Sequence, residues 1–280
     1  MKYKFVADAS VDVPQEFLDK YDIEIVPIEV GFGDEIFPEG MEKREFFTRL
    51  RTSTVLPKTA MPNAYRFEQI YKDVANKPDV FVMTLVISME MSPTKLQAQM
   101  AAENLGMKNV FIEETQVTTV AQGALICDLC RYVDAHPKAS PEELIREFYR
   151  LRKKVRLFAV VGDLKYLKQS GRLTGASAVI GTMLNVRPIV GIVDGKVVNV
   201  AKMIGSNKAE LYIKEKLANM DTSLPIYTAH SDAPELMEKL IERCKDMFGE
   251  GQELIKDEIG YVVGTHAGPN CYGFVYYEKD

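Results

Sequence analysis

The run Val80-Phe81-Val82-Met83-Thr84-Leu85-Val86-Ile87 constrains this chain most. It is far shorter than the roughly 20 apolar residues that span a bilayer. Its length and β-branched content predict a buried strand. Phe5–Ala7, Ile23–Ile28 and Val110–Ile112 read as further strands, and Lys43–Leu50, Ala64–Ala75 and Ala121–Val133 as helices between them. Another helix is expected to start at Ser92-Pro93-Thr94, with Ser92 capping and Pro93 in the first turn, where a missing N–H costs nothing. It would run to Gly106 with Leu96, Met100, Ala101 and Leu105 on its apolar face. Strands alternating with helices of this length predict a parallel sheet covered on both faces.

The pattern changes near residue 155. A charged helix, Glu142–Lys154, leads into a strand over Val155–Val161. Two β-rich runs, Pro188–Val193 and Val197–Val200, flank Asp194-Gly195. Asp-Gly between such runs predicts a hairpin, because both central residues of a type I′ turn need φ > 0. Helices around Asn207–Ala218 and Ala233–Phe248, with strands Pro225–Thr228 and Phe274–Tyr277, complete the chain. The expected fold is α/β in two domains: a parallel-sheet domain over 1–154, and a domain over 155–280 whose sheet contains a hairpin and is mainly antiparallel.

Composition narrows the function classes. Charged residues make up 27% and the net charge is −5, so the basic footprint of a nucleic-acid binder is missing. The start, Met1 to Asp8, is too short and polar for a secretory signal, and four scattered cysteines show no disulfide spacing. A cytoplasmic protein without an integral membrane segment is expected.

Several motifs fail on their chemistry. Cys127-Asp128-Leu129-Cys130 lies mid-helix and has no second pair to complete a zinc site. Gly191 to Lys196 is one residue short of a phosphate loop and lacks the following hydroxyl residue. Ser92-Pro93-Thr94-Lys95 has the S-x-x-K spacing of acyl-serine enzymes, but their other two motifs are missing in the required order. The basic residues Arg146, Arg150, Arg152, Lys153, Lys154 and Arg156 alternate with glutamates, as on a solvated helix face or a docking surface for an acidic partner. His266 lies in a segment, Gly264-Thr265-His266-Ala267-Gly268-Pro269, that reads as turn-rich and lets backbone approach a ligand closely.

Six segments together resemble the DegV family. They are Asp8-Ala9-Ser10-Val11-Asp12-Val13-Pro14; Pro57-Lys58-Thr59-Ala60-Met61-Pro62; Ile87-Ser88-Met89-Glu90-Met91-Ser92-Pro93-Thr94; Leu164 to Leu173 with Gly171-Arg172; Gly181 to Ile189 with Asn185; and Ile259-Gly260 through Asn270 with His266. The resemblance implies a fatty acid held in a cleft between the two domains and no bond made by the protein itself. It places carboxylate-holding hydroxyls on Thr59 and Ser92 and the pocket histidine on His266, with Thr94 and Gly268 beside them. No catalytic residue, metal or cofactor is implied other than the long-chain fatty acid as ligand. It further implies presentation of the carboxylate to a fatty-acid kinase. Departures are Pro93, Ala60 and Asn270 within the motifs, and Ile204 where the family often has Arg. Met61, Met89, Met91 and Met203 fall at these motifs, and adaptable methionines suit a tail pocket. Arg172 either caps helix-end carbonyls or, with Lys165 and Lys168, faces the kinase. A small serine hydrolase using Ser92 and His266 is the alternative reading.

Overall fold

The computed structural model describes residues 1–37, 42–174 and 186–280. Its first elements are β1 (Lys2–Asp8), α1 (Gln15–Lys20), β2 (Ile23–Val26), β3 (Glu29–Phe32), β4 (Glu35–Phe37), α2 (Lys43–Thr52) and β5 (Lys58–Ala60). Then come α3 (Ala64–Tyr71), β6 (Val80–Val86), α4 (Thr94–Asn104), β7 (Val110–Glu114), α5 (Thr119–Ala135) and α6 (Pro141–Lys154). Strands β2, β1, β6 and β7 form a parallel sheet in that order. The apolar run is its β6, buried from Val82 to Val86. Phe67 and Tyr71 of α3 and Ala98, Ala101 and Ala102 of α4 cover one face. Ala121, Ala124 and Leu125 of α5 cover the other.

The later elements are β8 (Val155–Val160), α7 (Lys165–Gln169), β9 (Leu173–Thr174), β10 (Val186–Val193), β11 (Lys196–Ile204), α8 (Ser206–Leu217) and β12 (Ile226–Ser231). They end with α9 (Pro234–Cys244), β13 (Leu254–Glu258), α10 (Tyr261–Ala267) and β14 (Cys271–Tyr277). Among the described residues these strands form one sheet, in the order β13-β12-β14-β8-β10-β11-β9. Its pairing is mainly antiparallel, with parallel pairs β12–β13 and β9–β11. The hairpin turn has the predicted geometry, with φ of 48° at Asp194 and 77° at Gly195. The fold is therefore α/β, with a parallel first sheet and a hairpin-bearing, mainly antiparallel second one.

The second sheet buries alternate residues on opposite faces. Val160, Ile189, Tyr272 and Phe274 pack under Ile213 of α8 and Leu240 of α9. Leu157, Ala159, Val190 and Val275 face the α5 side. Helix α5 thus lies between the two sheets. Its buried Asp128 accepts hydrogen bonds from Tyr227 Oη at 2.8 Å and Tyr277 Oη at 2.7 Å. No helix among the described residues is long and apolar enough to cross a membrane.

A small sheet, β4-β3-β5, is absent from the sequence-based expectation. It shares an aromatic cluster of Phe32, Phe37, Phe46 and Phe47 with Val262 of α10 and Tyr166 of α7. The segment around His266 is helical, not turn-rich, and Gly264 lets that helix pack close to Phe47, since a Cβ there would lie 2.8 Å from Phe47 Cζ. Helix α4 begins at Thr94 with Pro93 as its N-cap and no side-chain cap from Ser92. It buries small residues against the sheet, while Leu96 and Met100 are 51% and 49% exposed. Of the expected apolar face, Ala101 and Leu105 meet the core and Leu96 and Met100 do not; alanines allow closer approach to β6 than leucine or methionine would.

Candidate functional site

A cavity opens where the small sheet, α4, α7 and α10 converge. Thr59, Ser92, His266, Arg172, Ser10 and Thr118 give it polar groups, and Ile28, Met61, Ile87, Met91, Val262 and Val263 give it apolar walls. Each polar group is positioned by a distinct element. Thr59 sits on β5, opposite Val30 of β3. Its Oγ1 shares a 3.0 Å hydrogen bond with His266 Nε2 in the last turn of α10. That helix ends at Gly268, whose φ of 71° and 2.2 Å Cβ clash with Tyr166 Cδ2 leave room for no other residue. Its start is clamped by Asp12, whose Oδ1 accepts from Gly260 N at 2.8 Å.

Ser92 stands just before α4, with its N–H donating to Ser88 O at 3.0 Å. Its Oγ shares a 2.8 Å hydrogen bond with Thr94 Oγ1, and Thr94 itself is fully buried. The unpaired N–H groups and the dipole of a helix start favour an anion there. Ser10 is fixed by the buried carboxylate of Asp8, whose Oδ1 accepts from Ser10 N and whose Oδ2 accepts from Ile87 N at 2.7 Å. The hairpin turn docks on the segment before α4, where Ser88 Oγ donates to Gly195 O at 2.8 Å.

Burial pushes His266 down to about 4, with the positive charge of Arg172 adding to the effect. The imidazole is therefore neutral near pH 7, and its Nδ1 is buried without a hydrogen-bond partner among the described residues. Arg172 provides the positive charge. Its Nη1 also donates to Ser170 O at 2.6 Å, the carbonyl at the end of α7, as expected of a capping arginine.

A second, apolar cavity adjoins the first. Leu157, Ala159, Val161, Val190, Ile192, Ala229, Cys271 and Gly273 of the second sheet line it. Thr118, Leu167, Val197, Val263 and Ala267 line both cavities, which makes them neighbours. Their cavity volumes are about 100 and about 60 Å³. The arrangement sets hydroxyl, imidazole and guanidinium groups in one cavity and an apolar lining in the other. Ser92 pairs with Thr94 and His266 with Thr59, so the Ser92–His266 pair of the hydrolase reading is not formed.

Of the residues expected at a site, Thr59, Ser92 and His266 line one cavity, Thr94 stands behind Ser92, and Gly268 shapes the end of α10 without lining the cavity. Met61 and Met91 line it, whereas Met89 and Met203 do not. Residues Gly181 to Asn185 of the fifth motif lie outside the described residues. Cys127, Cys130, Cys244 and Cys271 are buried thiols, and no metal-binding cluster occurs among the described residues. Much of the basic cluster is paired: Arg150 with Glu147, Lys154 with Asp280 and Arg156 with Glu278. Sequence reasoning missed Thr118 and Val197, which carry no local signal.

Comparison with known proteins adds an independent line. A family model described as "Uncharacterised protein, DegV family" matches residues 2–279. The protein DegV of Bacillus subtilis is 27% identical over 279 residues, 98% of each chain. A DegV domain-containing protein of Caldanaerobacter subterraneus is 26% identical, with 99% of each chain covered. Among solved structures, one of DegV from Bacillus subtilis, described as a fatty acid binding protein, is similar with a TM-score of 0.85 at 28% identity. A DegV family protein from Thermus thermophilus, described for its fatty acid binding, has a TM-score of 0.89 at 26% identity. Both matches cover 100% of both chains.

Proposed function

The chain belongs to the DegV family, and from that premise we propose that it is a carrier of a long-chain fatty acid. The carboxylate lies at Thr59, Ser92 and His266, with Thr94 and Gly268 supporting them, and the tail fills the apolar cavity. The observation that carries this reading is a polar chamber beside an apolar one, with five lining residues in common. Two hydroxyls, a helix start and Arg172 suit a carboxylate. A tail gains about 0.8 kcal/mol for each CH₂ it buries, so the apolar chamber dominates affinity. The relatives described as fatty acid binding proteins support the same ligand class.

In this reading the residues group into domains 1–154 and 155–280 with the ligand between them, the protein is cytoplasmic, and it makes no bond itself. It presents the carboxylate to a fatty-acid kinase that forms the acyl-phosphate. Ile204, 69% exposed where the family often has arginine, leaves this point of the surface without a guanidinium for that partner.

Organic extraction and mass spectrometry of protein purified from a bacterial host test the carrier reading. A long-chain fatty acid in near-equal amount to protein is expected. Failure to release an acyl chain, together with failure of the stripped protein to take up added palmitate, overturns it. Incubation of the loaded protein with the host's fatty-acid kinase and ATP tests presentation, with acyl-phosphate as the expected product.

A further inference from the structure

One carboxylate joins two walls of the site that lie far apart in the chain. Asp12 follows β1, and its Oδ1 accepts from Gly260 N, 248 positions away at the start of α10. Its Oδ2 accepts from Thr119 Oγ1 at 2.6 Å, at the start of α5. Helix α10 brings Val263, His266 and Ala267 to the cavities, and Thr118 and Thr119 line them from the start of α5.

The contact is tight on both sides. A Cβ on Gly260 would lie 2.8 Å from Asp12 Oδ1, and one on Gly123 of α5 would lie 1.8 Å from Asp12 O. Thr119 has a φ of 54°, a left-handed conformation that a β-branched residue keeps only where its surroundings over-determine it. Those surroundings include Asp12 Oδ2 and Ser10 O, which accepts from Thr119 N at 2.9 Å. Backbone strain of this kind gathers at ligand clamps. From Gly260 the hold passes along α10 through its backbone. Gly264 N donates to Gly260 O at 2.8 Å, and Gly268 N to Gly264 O at 2.9 Å. A helix of seven residues is too short to absorb a shift at its start, so His266 in its last turn moves with Gly260.

We infer that Asp12 is a positioning residue of the head-group site: by holding the starts of α5 and α10 together, it sets His266 Nε2 against Thr59 Oγ1. This inference rests on the fatty-acid reading and deepens it, because recognition of the carboxylate then depends on a residue outside the lining of the polar cavity. Asparagine at this position preserves both bonds, since its carbonyl accepts from Gly260 N and its amide donates to Thr119 Oγ1. Lys43 keeps an acidic neighbour in that variant, with its Nζ 3.8 Å from Asp257 Oδ1. Alanine supplies neither bond.

The test is competition on stripped full-length protein. Palmitic acid and 1-hexadecanol are offered in equal amounts, and the bound ratio is read by mass spectrometry. The two share a tail and differ in head group, so a general loss of packing lowers both and leaves their ratio unchanged. Asp12→Ala is expected to lower the ratio of palmitate to hexadecanol by about fivefold or more, the loss of one hydrogen bond to a charged group. Gly260→Ala, whose new Cβ pushes α10 off the carboxylate, lowers it in the same direction and serves if Asp12→Ala folds poorly. Asp12→Asn is expected to keep the ratio within about twofold of the parent value. An unchanged ratio in folded Asp12→Ala and Gly260→Ala, or a ratio lowered as far by Asp12→Asn as by Asp12→Ala, overturns the inference while the carrier reading stands. A parent that takes up neither ligand overturns both.

Discussion

The depressed pKa of His266 makes stability depend on pH in a calculable way. An unfolded chain protonates this side chain near 6.5, whereas the folded protein does so only at about 4, because burial disfavours the imidazolium. Between those values the unfolded state holds more protons, so stability falls as pH drops through this window and levels off below it. At about 1.4 kcal/mol per pH unit the full loss is about 3 kcal/mol, of which about 2 kcal/mol is lost by about pH 5. His266→Gln keeps a partner for Thr59 but removes the titration. Urea denaturation of the ligand-free parent and variant near pH 7 and about pH 5 isolates the term, because other titrating groups are common to both. Asp12 and Asp128, each pushed up to about 6 by burial, act with the opposite sign in both proteins and cancel. The parent should lose about 2 kcal/mol more than the variant on acidification. Losses that agree within about 0.5 kcal/mol would refute a buried, neutral imidazole at this position.

Three further outcomes follow from the site. Ser92→Ala and Thr59→Ala should each weaken palmitate binding by about 1 kcal/mol or more, roughly fivefold, with little change in melting temperature; unchanged calorimetric affinity in both would move the carboxylate elsewhere. Gly268→Ala, forced to a left-handed φ against the Tyr166 ring, should lower stability by more than about 1 kcal/mol, visible as a drop of several degrees in a circular dichroism melt. Ester substrates should show no turnover with the protein alone, and hydrolysis lost in Ser92→Ala would restore the nucleophile reading.

The parallel sheet and the hairpin were legible because each has a local cause. An apolar run of eight residues fits a buried strand, and Asp194-Gly195 fits a turn with two positive φ angles. The small sheet was not legible, since β4 and β5 each have only three residues and β5 has an exposed Lys58 and Ala60. Its existence depends on the aromatic cluster beneath it. Helix α10 was hidden for the same reason, because Gly264 argues against a helix until Phe47 fills the place of its missing side chain. Thr59, Ser92 and His266 were legible through the resemblance of whole motifs to a family. Their meeting was not, since 207 positions separate the two ends of the Thr59–His266 bond. Thr118 and Val197 reach the cavity only through tertiary packing and leave no trace in spacing.

The place of β14 in its sheet has a consequence for how the protein is made. This strand follows every other strand of the sheet in the chain, yet it lies between β12 and β8. A nascent chain still on the ribosome therefore carries two unjoined sheet fragments until Cys271–Tyr277 emerges and inserts between them. Gly273, which lines the apolar cavity, arrives with that strand, so the cavity cannot close before synthesis has passed it. The exposed edges of β12 and β8 are open to wrong pairing during that interval. Completion of the cavity is thus tied to the last folding step of the sheet, and a ribosome stalled before residue 271 displays a sheet still in two pieces.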